Sequence, residues 1–370
     1  MTIDAAPYST CLSREYYFDE AIFQAELKQV FARQWLLVGH VSQIKAPGQF
    51  YVRQVGPESL IIARDRAGAI RAWFNVCRHR GYRIADDWSS GTSNGHVCPY
   101  HKWAYDTDGQ LVSVPGSRDG QDFRFCDWGL HEARCETFHG WIYVWLSEDV
   151  PTQLRDGLHF ADEAALEAIG SERLKLAHRK VYDVACNWKA LLENDCECYH
   201  CGRGGHPSLA ISCEYTAFYT DKANGKHFPL RDGMKTFSMD GERVCSIPLG
   251  TPQPDGFSTG FLSFPYFCGP VFFVDHAVSL ELTPLSVGRS QFIAEWYVHE
   301  DALEGVHYSV DRLIEVFHTT NLEDVALAER NYAGMRSMRY SPGPLNPRRE
   351  DGIRFALDLY ERMMGSDVEA

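Results

Sequence analysis

The chain has 370 residues, 45% of them hydrophobic and 13% aromatic, and a formal net charge of −14. That length accommodates two or three domains and that composition a large core. The acidic balance excludes the basic face that a nucleic acid or an anionic membrane would require, and with no run of about eighteen apolar residues no membrane span is expected.

Met1 to Ser13 lacks the basic stretch and apolar core of a secretory signal, so a cytoplasmic protein is expected. The twelve cysteines are then expected to be mostly reduced. Ile22, Phe23, Leu27, Val30, Phe31 and Trp35 recur at helical spacing and predict a helix over Tyr17–Trp35. From Leu36 to Trp145, short apolar runs (Phe50–Val52, Leu60–Ala63, Ala72–Asn75, Trp141–Leu146) are separated by Gly, Pro, Asp and Asn. This predicts a small all-β domain, with Asp108-Gly109 as a tight turn. Glu148 to Pro151 reads as a boundary. Helical stretches follow, then strands across Val271–Leu282 and Gln291–Val298. Val278, Leu280 and Leu282 alternate with polar neighbours, as a half-buried strand would. Two more helical segments, Leu303–Met338 and Gly352–Met364, are separated by the breaker Ser341-Pro342-Gly343-Pro344. The fold class is therefore α+β, an all-β domain joined to a mixed one. The expected organisation is a helical segment 1–37, an all-β domain 38–150 and a second domain 151–370.

Two cysteine–histidine pairs stand out in the β region. Cys77-Arg78-His79 and Cys98-Pro99-Tyr100-His101 each offer a thiolate and an imidazole where a strand runs into a loop, with eighteen residues between His79 and Cys98. A mononuclear zinc site accepts two Cys and two His, but zinc modules usually pair like with like. The mixed pairing suits a [2Fe–2S] cluster with both cysteines on one iron and both histidines on the other. Neutral imidazoles make such a cluster less negative and raise its potential.

A second set lies in Asn187–His206. Leu191, Leu192, Asp195 and Tyr199 keep helical spacing, so Glu197 and His200 are expected on one helix face. Gly202, Gly204 and Gly205 are expected to end that helix, letting His206 swing back towards His200. Two histidines separated by a turn need one distant carboxylate to complete a 2-His-1-carboxylate triad, which leaves positions open at Fe(II). Cys196, Cys198 and Cys201 are expected to be free buried cysteines.

The two cysteine–histidine motifs, together with Gly81, Pro99 and Trp103, closely resemble the Rieske domain of ring-hydroxylating and N-demethylating oxygenases. The segment from Asn187 to His206 is similar to the same family's iron-binding signature. This resemblance implies an all-β Rieske domain and a helix-grip catalytic domain, with the N-terminal helix packed on the latter. It implies that Cys77, His79, Cys98 and His101 hold a [2Fe–2S] cluster, and that His200, His206 and Asp324 hold one Fe(II). Glu323 is the adjacent competitor for the third ligand, and Asn194 is expected beside the set. Glu197 matches a carboxylate that carries electrons between subunits, from His101 of one to His200 of the next, in a homotrimer. Electrons would come from NAD(P)H through a flavin or iron–sulfur reductase. Glu197 and the surrounding Glu-Cys-Tyr-His-Cys resemble the branch acting on glycine betaine and carnitine, which implies N-demethylation of an amine. Hydroxylation of an aromatic or alicyclic acid is the alternative. Phe264, Tyr266, Phe267, Phe272 and Phe273 could hold a quaternary ammonium or stack on a ring, with core packing as the default. Asp275 and His276 lie within the same segment.

Two readings from other classes remain: a Rieske electron carrier and a zinc-stabilised binding protein. The first needs no second metal, which the His200–His206 set argues against.

Overall fold

The computed structural model describes residues 9–365 apart from 121, 150, 161–162, 203, 216–218, 222–224, 228 and 265–268. The chain divides into two compact units, one of Met1–Phe31 with Arg155–Ala370 and the other of Ala32–Leu154.

The N-terminal helix differs from expectation. It is broken into α1 (Glu15–Phe18), α2 (Glu20–Glu26) and a π-helical turn, Leu27–Phe31. The break lies at Asp19, which is extended, and whose carboxylate accepts hydrogen bonds from the backbone N–H of Ala21 (2.7 Å) and Ile22 (3.2 Å). This is an N-cap, and it starts a new helix where apolar spacing alone runs on. Tyr17, Phe23, Leu27, Val30 and Phe31 are buried as the periodicity requires. Trp35 falls in the other unit.

The Ala32–Leu154 unit is all-β, as expected. Its strands are β1 (Leu36–His40), β2 (Gln49–Val55), β3 (Glu58–Arg64), β4 (Ile70–Phe74), β5 (Ser90–Thr92), β6 (Gly95–Val97), β7 (Ala104–Asp106), β8 (Leu111–Ser113), β9 (Glu132–Phe138) and β10 (Trp141–Trp145). They form an antiparallel sheet ordered β1-β10-β9-β4-β3-β2-β5 and a smaller one, β6-β7-β8. The Asp108-Gly109 turn joins β7 to β8. Gly109 has φ +74°, and a Cβ there would lie 2.4 Å from Trp73 Nε1, so no other residue fits. Cys77, Cys98, Trp103 and Tyr105 pack in one core cluster with Val52, Ile61 and Trp73.

In the other unit, β11 (Leu158–Phe160), α3 (Glu163–Ile169), β12 (Leu174–Val184), α4 (Trp188–Asp195), α5 (Leu209–Ser212), β13 (Tyr219–Asp221) and β14 (Gly225–His227) precede β15 (Ser258–Ser263), β16 (Val271–Phe273), β17 (Ala277–Ser286) and β18 (Arg289–His299). Two helices close the unit, α6 (Val310–Met335) and α7 (Asp351–Gly365). The main sheet is antiparallel, ordered β11-β15-β16-β17-β18-β12. The predicted Val271–Leu282 strand is two strands. They are interrupted where buried Asp275 accepts hydrogen bonds from Thr236 Oγ1 (2.6 Å), Val244 N (2.7 Å) and Cys245 N (3.0 Å). β17 is not half-buried. Ser279, Glu281 and Thr283 are as enclosed as Val278, Leu280 and Leu282, because both faces of the sheet are covered. The helix predicted from Leu303 starts only at Val310. Before it, the chain turns on itself through His307 N–Leu303 O (2.8 Å) and Gly305 N–Tyr308 O (2.8 Å). No helix among the described residues is long and apolar enough to cross a membrane.

A buried polar network fixes α4. Lys189 Nζ donates to Glu26 Oε1 (2.5 Å), and Trp188 Nε1 (2.7 Å) and Tyr360 OH (2.7 Å) donate to the same carboxylate. Tyr17 OH donates to Glu193 Oε1 at 2.5 Å. α4 is thereby tied to α1, α2 and α7 by bonds in a low-dielectric interior, where each is costly to break.

Candidate metal centres

The two cysteine–histidine loops share one backbone design. Cys77 N donates to Tyr82 O (2.9 Å) and Gly81 N to Cys77 O (2.9 Å); Cys98 N donates to Trp103 O (2.8 Å) and Lys102 N to Cys98 O (3.0 Å). Gly81 and Lys102 occupy equivalent positions and both are left-handed, at φ +71° and +60°. Glycine adopts that conformation freely, but Lys102 is held there at a cost that such sites commonly carry. The loops therefore present their side chains as a facing pair. The thiols point inward, Cys77 being 3% and Cys98 1% exposed. The imidazoles stand at the edge: His79 is exposed, His101 is half-buried, and their ring centroids lie 4.6 Å apart. Trp103 stacks on His79 at 4.9 Å and fixes its plane.

Sequence reasoning missed Tyr105. The backbone N–H of Arg78 donates to its hydroxyl oxygen (3.1 Å), which leaves the hydroxyl proton free to point at Cys77 Sγ, 3.3 Å away. Burial raises the Cys98 thiol above its ordinary value, against backbone N–H bonds from Tyr100 and His101 that favour the thiolate. Two buried sulfurs with N–H and O–H donors, and two imidazoles at the rim, fit the ligand set of a [2Fe–2S] cluster.

The second set is built differently from expectation. α4 ends at Asp195 with Cys196 as its C-cap, so Glu197, Tyr199 and His200 sit in the turn beyond it and not on a helix face. Glycines 202, 204 and 205 consequently do not stop the helix. Gly205 has another task, because a Cβ there would lie 2.6 Å from the carbonyl oxygen of His200 and 2.9 Å from its ring. The loop can pass His200 only as glycine. In the same turn Cys198 and Cys201 form a disulfide, against the expectation of free thiols, since leaving the helix brings the two sulfurs together. Cys196 is buried and keeps its thiol.

Three donor atoms converge. His200 Nε2 and His206 Nε2 lie 2.9 Å apart, and Asp324 Oδ1 lies 2.8 Å from the latter and 3.6 Å from the former. Mutually adjacent ligands at about 2.1 Å from a divalent ion stand about 3 Å from one another, so these three atoms fit one face of a metal's coordination sphere. Cys201 lies in the same neighbourhood, but its sulfur is committed to the disulfide. Glu323 does not face the centre, since its Oε2 lies 3.1 Å from His206 Nδ1. Glu197 Oε1 lies 2.5 Å from His200 Nδ1, and its other oxygen accepts from the backbone N–H of Tyr199 and His200. Asn194, on the last turn of α4, places Nδ2 3.3 Å from His200 Nε2. Burial disfavours a charged His200, but the carboxylates of Asp324 and Glu197 outweigh it and lift the metal-free imidazole to about 9. Burial likewise raises Asp324, and the hydrogen bonds to His200 and His206 overcome it, holding the carboxyl below its ordinary range.

The cavity over these atoms has an empty volume of about 460 Å³, part of it open to solvent. Leu209, Leu280, Phe292, Phe317, Thr320 and Asn321 contribute to its wall. Phe317, Thr320, Asn321 and Asp324 share one face of α6 by their spacing of three and four. The aromatic residues singled out in the sequence are elsewhere. Phe264, Phe272 and Phe273 are buried core, with Phe273 stacked on Phe237 at 5.1 Å. Tyr266 and Phe267 lie outside the described residues. Asp275 and His276 are internal and paired at 2.9 Å.

Comparison with known proteins assigns both parts of the chain to known families. Residues 34–124 match the family described as "Rieske [2Fe-2S] domain" and residues 171–366 the family described as "Ring hydroxylating alpha subunit (catalytic domain)". The chain is 32% identical to the glycine betaine monooxygenase oxygenase subunit of Pseudomonas aeruginosa, over 97% of this chain and 90% of that one. It is 37% identical to the biphenyl 2,3-dioxygenase alpha subunit of Rhodococcus jostii, over 53% of this chain and 44% of that one. The crystal structure of the quaternary ammonium Rieske monooxygenase CntA with L-carnitine has a similar fold, with a TM-score of 0.77, 24% identity and 96% coverage of both chains.

Proposed function

Because the chain belongs to the family of ring-hydroxylating oxygenase alpha subunits, with a Rieske [2Fe–2S] domain joined to a non-haem iron domain, we propose that it is the terminal oxygenase of a system that demethylates a small quaternary or tertiary amine of the betaine class. The observation that carries the substrate class is the charge of the cavity. Asp195, Glu197 and Asp324 line it beside Phe292 and Phe317, and no Lys or Arg does so among the described residues. Carboxylates and aromatic faces attract an ammonium, a group that an aromatic or alicyclic acid lacks. The similarity to a glycine betaine oxygenase along nearly the whole chain supports the same class.

In this reading Cys77 and Cys98 would hold one iron of the cluster and His79 and His101 the other, while His200, His206 and Asp324 would hold the mononuclear iron. That iron supplies activation of dioxygen and insertion of one oxygen atom into a substrate C–H bond; at an N-methyl the product collapses to formaldehyde and the demethylated amine. The chain's own residues do the rest. Asp324 would offset part of the ion's charge. Glu197 accepts a hydrogen bond from the Nδ1–H of His200, which would fix the ring with Nε2 towards the ion. In a ring-shaped homotrimer Glu197 would meet His101 of the partner subunit, the route for electrons drawn from NAD(P)H through a flavin or iron–sulfur reductase. The structure of a quaternary ammonium Rieske monooxygenase has given insights into inter-subunit electron transfer. Leu209, Leu280, Phe292 and Phe317 exclude water from the substrate's methyl groups.

The test is a single turnover. Protein reduced with dithionite is freed of excess reductant and mixed with oxygenated buffer containing glycine betaine, carnitine or benzoate, and trapped formaldehyde is quantified. Formaldehyde with a betaine and no hydroxylated benzoate is the expected result. Hydroxylated acid without formaldehyde overturns the substrate class.

A further inference from the structure

His206 is gripped on both ring nitrogens by neighbouring residues of one helix. Asp324 Oδ1 lies 2.8 Å from Nε2 and Glu323 Oε2 lies 3.1 Å from Nδ1. Successive residues of a helix diverge by about 100°, so the shorter acid meets the near side of the imidazole while the longer one reaches round to the far side. Glu323 is itself held. Ser208 Oγ donates to the same Oε2 at 2.7 Å, and Thr320 Oγ1, one turn earlier on α6, lies 3.2 Å from Ser208 Oγ. The chain of donors runs Thr320 to Ser208 to Glu323, so the carboxylate accepts from Ser208 on the side away from the ion position. His206 is 1% exposed, so water does not compete for Nδ1.

We propose that Glu323 is a positioning residue for the mononuclear iron: it fixes the proton of His206 on Nδ1, aims the Nε2 lone pair at the ion, and strengthens that nitrogen as a donor. The proposal rests on the reading of His206 as an iron ligand. It gives the two adjacent acids of α6 different tasks, Asp324 on the ion and Glu323 behind the histidine. Glu197 holds Nδ1 of His200 in the same way, at 2.5 Å, but from an outward-facing turn. Glu323 serves only the ion's own site, so its loss should weaken the metal without altering the cluster.

The test uses the cluster-loaded protein. Fe(II) affinity at the third iron position is measured anaerobically by chelator competition, and the electron paramagnetic resonance signal of Co(II) placed at the same site reports the ligand field. Glu323→Ala is expected to raise the dissociation constant about 10- to 100-fold and to change the Co(II) signal, as loss of such outer partners does. Glu323→Gln keeps an acceptor for the N–H without the charge and should recover part of the affinity. The cluster's own spectrum should not change in either. An unchanged dissociation constant and Co(II) signal in Glu323→Ala overturns the proposal. If Glu323→Ala fails to fold, Glu323→Gln decides by the Co(II) signal, and an unchanged signal overturns it. His206→Ala separates the two levels: if it binds both ions like the parent, it is the ligand reading that falls.

Discussion

His206 Nε2 lies 2.8 Å from Asp324 Oδ1, the closest approach among the three donor atoms that face the candidate iron position. One residue comes from a loop after α4 and the other from the middle of α6, and no local sequence rule joins them. Asp324→Asn, which keeps size and removes charge, should therefore lower total iron from about three to about two per chain with acid-labile sulfide unchanged at about two. Metal and sulfide analysis of the purified variant checks this.

Glu197 holds the outward nitrogen of His200. Glu197→Gln should retain both metal centres and slow oxidation of the reduced cluster by substrate and oxygen by about 100-fold, while Glu197→Asp falls between the two. Stopped-flow absorbance of the cluster follows the rate. A slowed rate accompanied by loss of the third iron would point to a ligand-holding role alone.

Tyr105 directs its hydroxyl at Cys77 Sγ across 3.3 Å. A donor to a cluster sulfur stabilises the reduced, more negative state. Tyr105→Phe should lower the midpoint potential by about 60 mV, the equivalent of ~1.4 kcal/mol for one electron. Redox titration of the visible spectrum measures it.

Glu193 is buried against Tyr17 and Lys189. Burial outweighs the hydrogen bond from Tyr17 and the charge of Lys189, and raises its pKa from the ordinary 4.5 to about 7. A folded-state pKa above the unfolded one means that the native state holds the proton more tightly. Its stabilising contribution is full below about 4.5 and is lost as pH rises through about 7. Glu193→Gln, which imitates the protonated form, should gain stability relative to the parent by roughly 3 kcal/mol between pH 4.5 and pH 8. Denaturant melts at the two pH values test the sign.

The β character of the first half and its turns could be read from alternation and from Asp108-Gly109, because pleat and turn chemistry are local. The cysteine–histidine pairs were legible for the same reason, each being a short loop with its own glycine or proline. The α4 segment was misread because Leu191, Leu192, Asp195 and Tyr199 keep a helical period past the point where the helix ends, at Cys196. The Asp19 cap was missed in the same way. Only the family resemblance favoured Asp324 over Glu323 in the sequence, since which side of His206 each acid meets depends on how α6 lies over the loop. The cavity's Phe292 and Phe317 carry no motif at all; in the sequence they resemble any core aromatic.

The measurement that tests the central claim most directly is the visible spectrum of anaerobically purified protein before and after dithionite, with iron and sulfide determined on the same sample. About three irons and two sulfides per chain, with bands that bleach on reduction, are the predicted result. A colourless protein with stoichiometric zinc and no sulfide would contradict it, and the two cysteine–histidine loops would then be a structural zinc site.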